Sequence, residues 1–340
     1  MSAPLIVIDA DVLGRQRTGD ETYVENLLRR LPEHAGGGLR FAALTRHPDL
    51  VPHGVEAVHV PARLQEARML WTVPCALDRL GAALAHFQHA LPRSCPCPAV
   101  VTVHDLSFER DPSVMGLRHR LTFRLVVPHA VRHAARVLAV SERTKQDLVE
   151  VYGVDPARIV VTPHGVDPAF SPGESRGDPY LLFVGAVQRR KNPLAAAVAA
   201  EELGMRLVVV GPSRDHGLVH ALTRRGADVR GYVPKDELVE LYRGAAALVL
   251  PSRYEGFGLP VIEAMASGTP VVVAPDAALR EIAGDAAVFA EEGDLADGIR
   301  RALADRDRLV AAGLRRAALY SWDETARRTI AVYREVLGLA

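Results

Sequence analysis

The chain has 340 residues, long for one hydrophobic core and comfortable for two domains of ordinary size. Lys plus Arg equals Asp plus Glu at 41 each, so no global field draws it to nucleic acid or to an acidic membrane surface. An apolar share of 49% with only 5% aromatics suits an Ala-rich α/β protein whose strands are Val, Ile and Leu runs.

The amino terminus MSAPLIVIDA enters an apolar strand without a basic start or a cleavage site. No apolar run reaches the roughly 18 residues of a spanning helix, so a cytoplasmic location is expected. Residues 5–8 read as the first buried strand, followed by a loop containing Arg17-Thr18-Gly19-Asp20 and a helix from about Glu21. Apolar runs at 41–44, 55–60, 83–86 and 99–103 continue an alternation of strands and helices. Cys75, Cys95 and Cys97 lack C-x-x-C spacing, which indicates neither a disulfide framework nor a zinc site.

The run 99–103 ends in His104-Asp105, which puts His104 at a strand's carboxyl edge, as a loop or core residue or as a functional one. Residues 116–136 read as one helix with Arg118, Arg120, Arg124, Arg132 and Arg136 against an apolar stripe. Such a basic amphipathic helix is either a solvated face or a contact for a membrane surface or an anionic acceptor. Residues 137–140 form a further strand, Ser141 is placed to cap the helix 142–152, and 159–161 close the first half. Residues 171–179, SPGESRGDP, have linker composition.

The second half opens on a strand at 180–184, then Gly185 and the cations Arg189, Arg190 and Lys191 at a helix start. Positive charge there opposes the helix dipole, which points to an anion. Strands follow at 206–211 and 229–234, and a helix starts near Lys235. Residues 245–250 are apolar throughout and read as a strand of a parallel sheet, whose carboxyl edge is where open α/β sheets bind ligands. Glu255-Gly256-Phe257-Gly258 comes next, and Leu259-Pro260 opens a helix over 259–267 that ends at Gly268. The free N–H groups at that helix start form an anion pocket suited to a diphosphate. Glu255 stands before the helix and Glu263 about one turn inside it, so the two carboxylates are placed for different ends of one ligand. No G-x-G-x-x-G follows any strand, and the stretch from Gly256 lacks the third glycine, which disfavours a dinucleotide fold. A strand at 287–289, a helix at 295–303 and an amphipathic helix at 322–337 complete the chain.

Glu255 and Glu263 with Gly-Phe-Gly between them and Gly-Thr-Pro-Val-Val after resemble the E-x7-E signature of retaining GT-B glycosyltransferases of the GT4 type. The likeness covers nearly the whole chain. It implies an α/β fold of two Rossmann-like domains with parallel sheets facing an interdomain cleft. Residues 1–170 form the acceptor-side domain, onto which a last helix at about 322–340 packs back, and 171–321 the nucleotide-sugar domain. The implied reaction moves a hexose-type sugar, with retention, from a nucleoside diphosphate sugar to a hydroxyl of a glycan, a lipid-linked acceptor or a small natural product. Nucleotide-sugar epimerases and sugar phosphorylases share the architecture and are the alternative.

The resemblance also implies roles. Arg190 and Lys191 hold the diphosphate, Glu255 the sugar hydroxyls and Glu263 the ribose. His104 orients the donor sugar or supports its oxocarbenium-like centre. Gly19, Gly185, Phe257, Gly258 and Leu259 lie along the donor, and Val233 reads the base through its backbone. Neither a metal nor a further cofactor is implied. Asp9-Ala10-Asp11 spells the D-x-D of metal-bound nucleotides in the other glycosyltransferase architecture, or a haloacid dehalogenase nucleophile pair, but the family's own first strand often ends in Asp-Ala.

Overall fold

A computed structural model of the protein describes residues 3–15, 18–61, 64–111, 116–174, 178–213 and 215–339. Arg17, residues 175–177 of the linker and the side chain of Arg118 lie outside the described set. The described chain divides into two compact units, one drawn from 1–109, 115–164 and 322–340, the other built on Gly165–Ser321.

The first unit runs β1 (Leu5–Asp9), α1 (Thr18–Ala35), β2 (Arg40–Thr45), β3 (Glu56–His59), α2 (Val73–Leu80), β4 (Leu84–Gln88), β5 (Ala99–Val103), α3 (Leu117–His133), β6 (Arg136–Ala139), α4 (Glu142–Tyr152) and β7 (Ile159–Val161). Its strands lie in the order β3-β2-β1-β4-β5-β6-β7, every neighbouring pair parallel. β5, Ala-Val-Val-Thr-Val, is buried along its whole length, as a strand covered on both faces must be. The order reverses between β1 and β4, the kind of point at which open α/β sheets leave a ligand crevice at their carboxyl ends.

Two boundaries differ from the sequence expectation. The helix expected from about Glu21 begins at Thr18, so Gly19 lies in the first turn of α1 and not in a loop. Asp20 and Glu21 in that turn favour the helix start through the dipole. The basic helix ends at His133, because Arg136 opens β6 and pairs with Val100 of β5. Parallel pairing on both sides of β6 takes residues that the helical pattern also fitted.

The second unit runs β8 (Tyr180–Val184), α5 (Pro193–Glu202), β9 (Arg206–Val210), α6 (His216–Arg224), β10 (Asp228–Gly231), α7 (Lys235–Gly244), β11 (Ala245–Leu250), α8 (Leu259–Ala266), β12 (Val271–Val273), α9 (Ala277–Ala283), β13 (Val288–Phe289), α10 (Leu295–Ala304) and α11 (Arg306–Ala317). Its order is β10-β9-β8-β11-β12-β13, all parallel, with the reversal between β8 and β11. β10 stops at Gly231, so Val233 sits in the turn into α7 and not in a strand. Gly268, at φ +75°, follows α8 as its left-handed cap.

The last helix, α12 (Trp322–Val336), belongs to the first unit. It packs along α1 with Trp322 and Tyr333 fully buried, and Thr325 Oγ1 donates to the carbonyl of Pro163 at 2.6 Å. Cutting a side chain like Trp322 back to alanine costs about 3–5 kcal/mol. Among the described residues, no helix is long and apolar enough to cross a membrane.

Candidate active site

In the second unit the chain leaves β8 at Gly185 and leaves β11 at Pro251, on either side of the reversal in strand order. The turns after β8, β9 and β10 are tied by backbone bonds, from Gly185 N to Val210 O at 2.8 Å, Val187 N to Pro212 O at 3.0 Å and Gly211 N to Gly231 O at 2.7 Å. Gly211 has φ +137°, and a Cβ there would stand 2.2 Å from the carbonyl oxygen of Gly185. Only glycine lets the two turns approach so closely.

After Gly185, Arg189–Lys191 form a 3-10 turn, and Asn192 in the left-handed region leads into Pro193 and α5. Arg190 is buried and its Nη1 donates to the carbonyl of Tyr254, while Arg253 N donates back to the carbonyl of Arg190 at 2.9 Å. These two bonds lock the turn after β8 to the turn after β11. Lys191 Nζ then meets both carboxylate oxygens of Glu255 at 2.5 Å, and Arg190 Nη1 lies 3.6 Å from Oε2. Glu255 is only 4% exposed. Burial pushes its carboxyl up, but the cations Lys191 and Arg190 outweigh that and hold it below the ordinary carboxylate value. A Cβ on Gly185 would lie 3.9 Å from Lys191 Cδ, so Gly185 borders the same group.

Three residues after Glu255, Gly258 at φ +101° starts α8, and a Cβ on it would come within 2.8 Å of Leu279 Cδ2. Leu259 and Pro260 form the first turn, where Pro260 carries no N–H and Val261 N donates to the carbonyl of Gly258 at 2.9 Å. Phe257 is buried edge-on against Tyr320, with centroids 5.8 Å apart, and Val233 is buried too. Glu263 accepts a hydrogen bond from Tyr242 Oη at 2.8 Å. Its carboxyl is raised to about 7, by burial first, against the Tyr242 bond, with Asp167 adding to the rise and Lys235 opposing it. Lys235 and Asp167 are themselves paired at 2.7 Å. Sequence reading did not find Tyr242, Asp167 or Lys235 as neighbours of Glu263. Tyr242 stands 21 positions before Glu263, and no local pattern signals that contact.

In the first unit His104 directly follows β5 and is 8% exposed. Its ring stands edge-on to Tyr23 at 4.8 Å, stacks on His164 at 5.5 Å and lies 5.3 Å from His89. Nε2 faces Gln88 Oε1 at 3.4 Å. Burial pulls its pKa down to about 4, with Asp20 opposing, so the imidazole is neutral at ordinary pH. Asp20, His89 and His104 bring one carboxylate and two imidazoles within 4.8 Å of one another. Behind them His86 bonds Tyr333 Oη at 2.6 Å and Thr102 Oγ1 at 2.7 Å, which ties α12 to this group. Gly19 stands at the start of α1, and a Cβ on it would meet nothing within 4 Å.

The carboxylates of Asp9 and Asp11 face guanidinium groups. Arg68 pairs with Asp9, and Arg46 Nε lies 2.8 Å from Asp11 Oδ1, with Arg15 on the other oxygen. Carboxylates already met by cations are poorly placed to take a metal-bound nucleotide.

Residues 17–170 match the family described as Glycosyltransferase Family 4, and residues 169–317 the family described as Glycosyl transferases group 1. Over 291 residues the chain is 32% identical to a D-inositol 3-phosphate glycosyltransferase of Frankia alni, covering 74% of this chain and 72% of that protein. With the D-inositol 3-phosphate glycosyltransferase of Nocardia farcinica it shares 35% identity over 61% of its length, a match that spans 54% of the Nocardia protein. Its fold is similar to that of HepE from Anabaena, solved in complex with UDP-glucose, at a TM-score of 0.75 and 14% identity over 98% of this chain and 99% of the other. The chain therefore belongs to the group 1, family 4 glycosyltransferases and carries their GT-B fold of two Rossmann-like α/β domains.

Proposed function

We propose that this glycosyltransferase moves a hexose-type sugar, with retention, from a nucleoside diphosphate sugar to an acceptor hydroxyl, without a metal and in the cytoplasm. The observation that carries the reading is the buried Lys191–Glu255 pair beside Arg190 at the reversal of the second sheet. In a glycosyl transfer the charge that develops lies on the departing diphosphate. Arg190, Lys191 and the first N–H groups of α8 are fixed donors for it, and fixed donors need no reorganisation when the charge appears. Gly185 and Gly258 let the diphosphate approach, Phe257 and Leu259 border it through their backbone, Glu263 takes the ribose hydroxyls, and Val233 the base. Glu255 is assigned the hydroxyls of the transferred sugar.

Glu255 faces Lys191 and Glu263 faces Tyr242. Neither is offered as a base, so the departing phosphate oxygen takes the acceptor proton. Attack and departure then occur on the same face of the sugar, which gives retention. The first unit is assigned the acceptor. Its neutral His104 imidazole can donate or accept one hydrogen bond there.

HepE is described with UDP-glucose, and the relatives are named for D-inositol 3-phosphate, so UDP-glucose and a polyol phosphate are the first donor and acceptor to try. Release of nucleoside diphosphate from a panel of sugar nucleotides should require added acceptor, and NMR of the product should show the donor's anomeric configuration. Release without acceptor, conversion of the sugar nucleotide alone, or an inverted product would overturn the reading.

A further inference from the structure

Three side chains of the first unit meet at the carboxyl edge of its sheet, and the proposed transfer uses only one of them, His104. Asp20 stands in the first turn of α1, which follows β1, while His89 directly follows β4 and His104 directly follows β5. β1 pairs with β4 and β4 with β5, so the three elements are neighbours. His89 holds φ +57°, and its N–H donates to the carbonyl of Thr102 at 2.9 Å, which fixes it beside His104. One ligand atom from each of the three residues lies within 4.8 Å of the other two.

Both rings have a nitrogen to offer. Gln88 Oε1 can only accept, so the proton sits on His104 Nε2, 3.4 Å away, and the lone pair is left on Nδ1. That Nδ1 is buried without a hydrogen-bond partner, and so is His89 Nδ1. A buried polar atom without a partner is costly, and a bound cation supplies one. The charged neighbours that act on His104 are the carboxylates of Asp20 and Asp105 and the His89 ring, with no guanidinium or ammonium among them. The other such group among the described residues, Glu33, His34 and Asp323, is already satisfied. There His34 Nε2 meets Asp323 at 2.7 Å, and Arg30 lies 3.5 and 3.8 Å from the two carboxylates.

We propose that Asp20, His89 and His104 form a binding site for a borderline divalent cation, zinc first. Two imidazoles and one carboxylate with an open fourth position are a zinc set. Tetrahedral bonds of about 2.0–2.1 Å put ligand atoms about 3.3 Å apart, so the side chains close in by at most about 1.5 Å. Each imidazole gives a lone pair and the carboxylate one oxygen, and no bond is broken. His104 is also the group assigned to the acceptor. Resting on that assignment, the cation is an inhibitor that competes with the acceptor, and the transfer itself stays metal-free.

Cobalt(II) is the probe, read in the visible spectrum of the full chain after it is stripped with a chelator. No substrate is present, so this arm tests the site apart from the sugar-transfer reading. One Co²⁺ should give a d–d band without the thiolate charge-transfer band that a cysteine ligand would produce, and one Zn²⁺ should bleach it. Because the loss of supporting groups alone costs 10–100-fold in metal affinity, Asp20→Asn and His89→Ala should each weaken Co²⁺ binding by about tenfold or more. Melts without metal check that both variants are folded. His34→Ala should bind Co²⁺ as the parent does. In the transfer assay Zn²⁺ should raise the acceptor KM with kcat unchanged, and His89→Ala should need about tenfold more Zn²⁺ for the same effect. No d–d band at one equivalent, a thiolate band, or affinity unchanged in both Asp20→Asn and His89→Ala overturns the site. Zn²⁺ that competes with the donor and not with the acceptor, with the band intact, overturns the competition and the acceptor assignment of His104 with it.

Discussion

Lys191 Nζ lies 2.5 Å from both carboxylate oxygens of Glu255, and this pair joins two turns that are 64 positions apart in the sequence. The side chains are 14% and 5% exposed, so neither charge is easily rehydrated when the other is removed. Breaking a buried pair by removing one partner costs about 3–5 kcal/mol, whereas removing both is far milder. Lys191→Ala should therefore melt well below the parent, and Lys191→Ala/Glu255→Gln should recover most of the loss. Thermal melts of the four proteins check this. If the double variant melts lower than either single one, the pair does not hold the turns together.

The same contact predicts opposite effects on nucleotide and on turnover. In Glu255→Gln the Lys191 ammonium loses its counter-charge and is left to a bound diphosphate, so bare UDP should bind as tightly as to the parent or several-fold tighter. Turnover should fall by about tenfold or more, because an interaction strongest in the transition state shows in kcat. Calorimetry with UDP and a steady-state assay decide it. Weaker UDP binding together with full turnover reverses the assignment of Glu255 to the sugar.

Strands were the most legible part of the chain. Residues 245–250 are apolar throughout and 99–103 are apolar but for Thr102, and both are wholly buried strands of parallel sheets. Helix ends were less so, as α1 and α3 show, because dipole and sheet pairing decide between patterns that the sequence allows equally. α11 was missed altogether. Its Gly313 reads as a break, yet a Cβ there would meet Met265 Cγ at 3.1 Å, so the glycine serves close packing of α11 on α8. Within the site, the Gly-Phe-Gly turn and the three cations were readable as local patterns. The bonds of Glu255 to Lys191 and of Tyr242 to Glu263 span 64 and 21 positions, and no local periodicity encodes them.

A chelator tests metal-free transfer. In the proposed reaction Arg190, Lys191 and the start of α8 meet the diphosphate charge, so EDTA should leave turnover nearly unchanged. Turnover lost in EDTA and restored by Mg²⁺ or Mn²⁺ would overturn metal-free transfer and direct attention to Asp20, His89 and His104, whose ligand atoms lie within 4.8 Å of one another.

Glu263 gives binding and stability opposite trends with pH. Burial, the largest cause, raises its carboxyl from the ordinary 4.5 to about 7 in the folded chain. Between those values the folded protein keeps a proton that the unfolded chain has released. The stability linked to Glu263 is thus full below about pH 4.5 and is lost as pH rises through about 7. Ribose hydroxyls, by contrast, donate best to the ionised carboxylate, and a hydrogen bond to a charged group is worth about 1 kcal/mol more than a neutral one. UDP affinity should accordingly rise by about fivefold as the carboxyl ionises, while the Tm of the free protein declines over the same interval. Ionisation of the nucleotide's own phosphate contributes equally to parent and variant, so the difference between the parent and Glu263→Gln isolates the side chain. In that difference both trends should be present, and the variant by itself should show neither the added affinity nor the loss of Tm. Parallel pH profiles for UDP binding in the two proteins would take Glu263 away from the ribose, even with the stability trend intact.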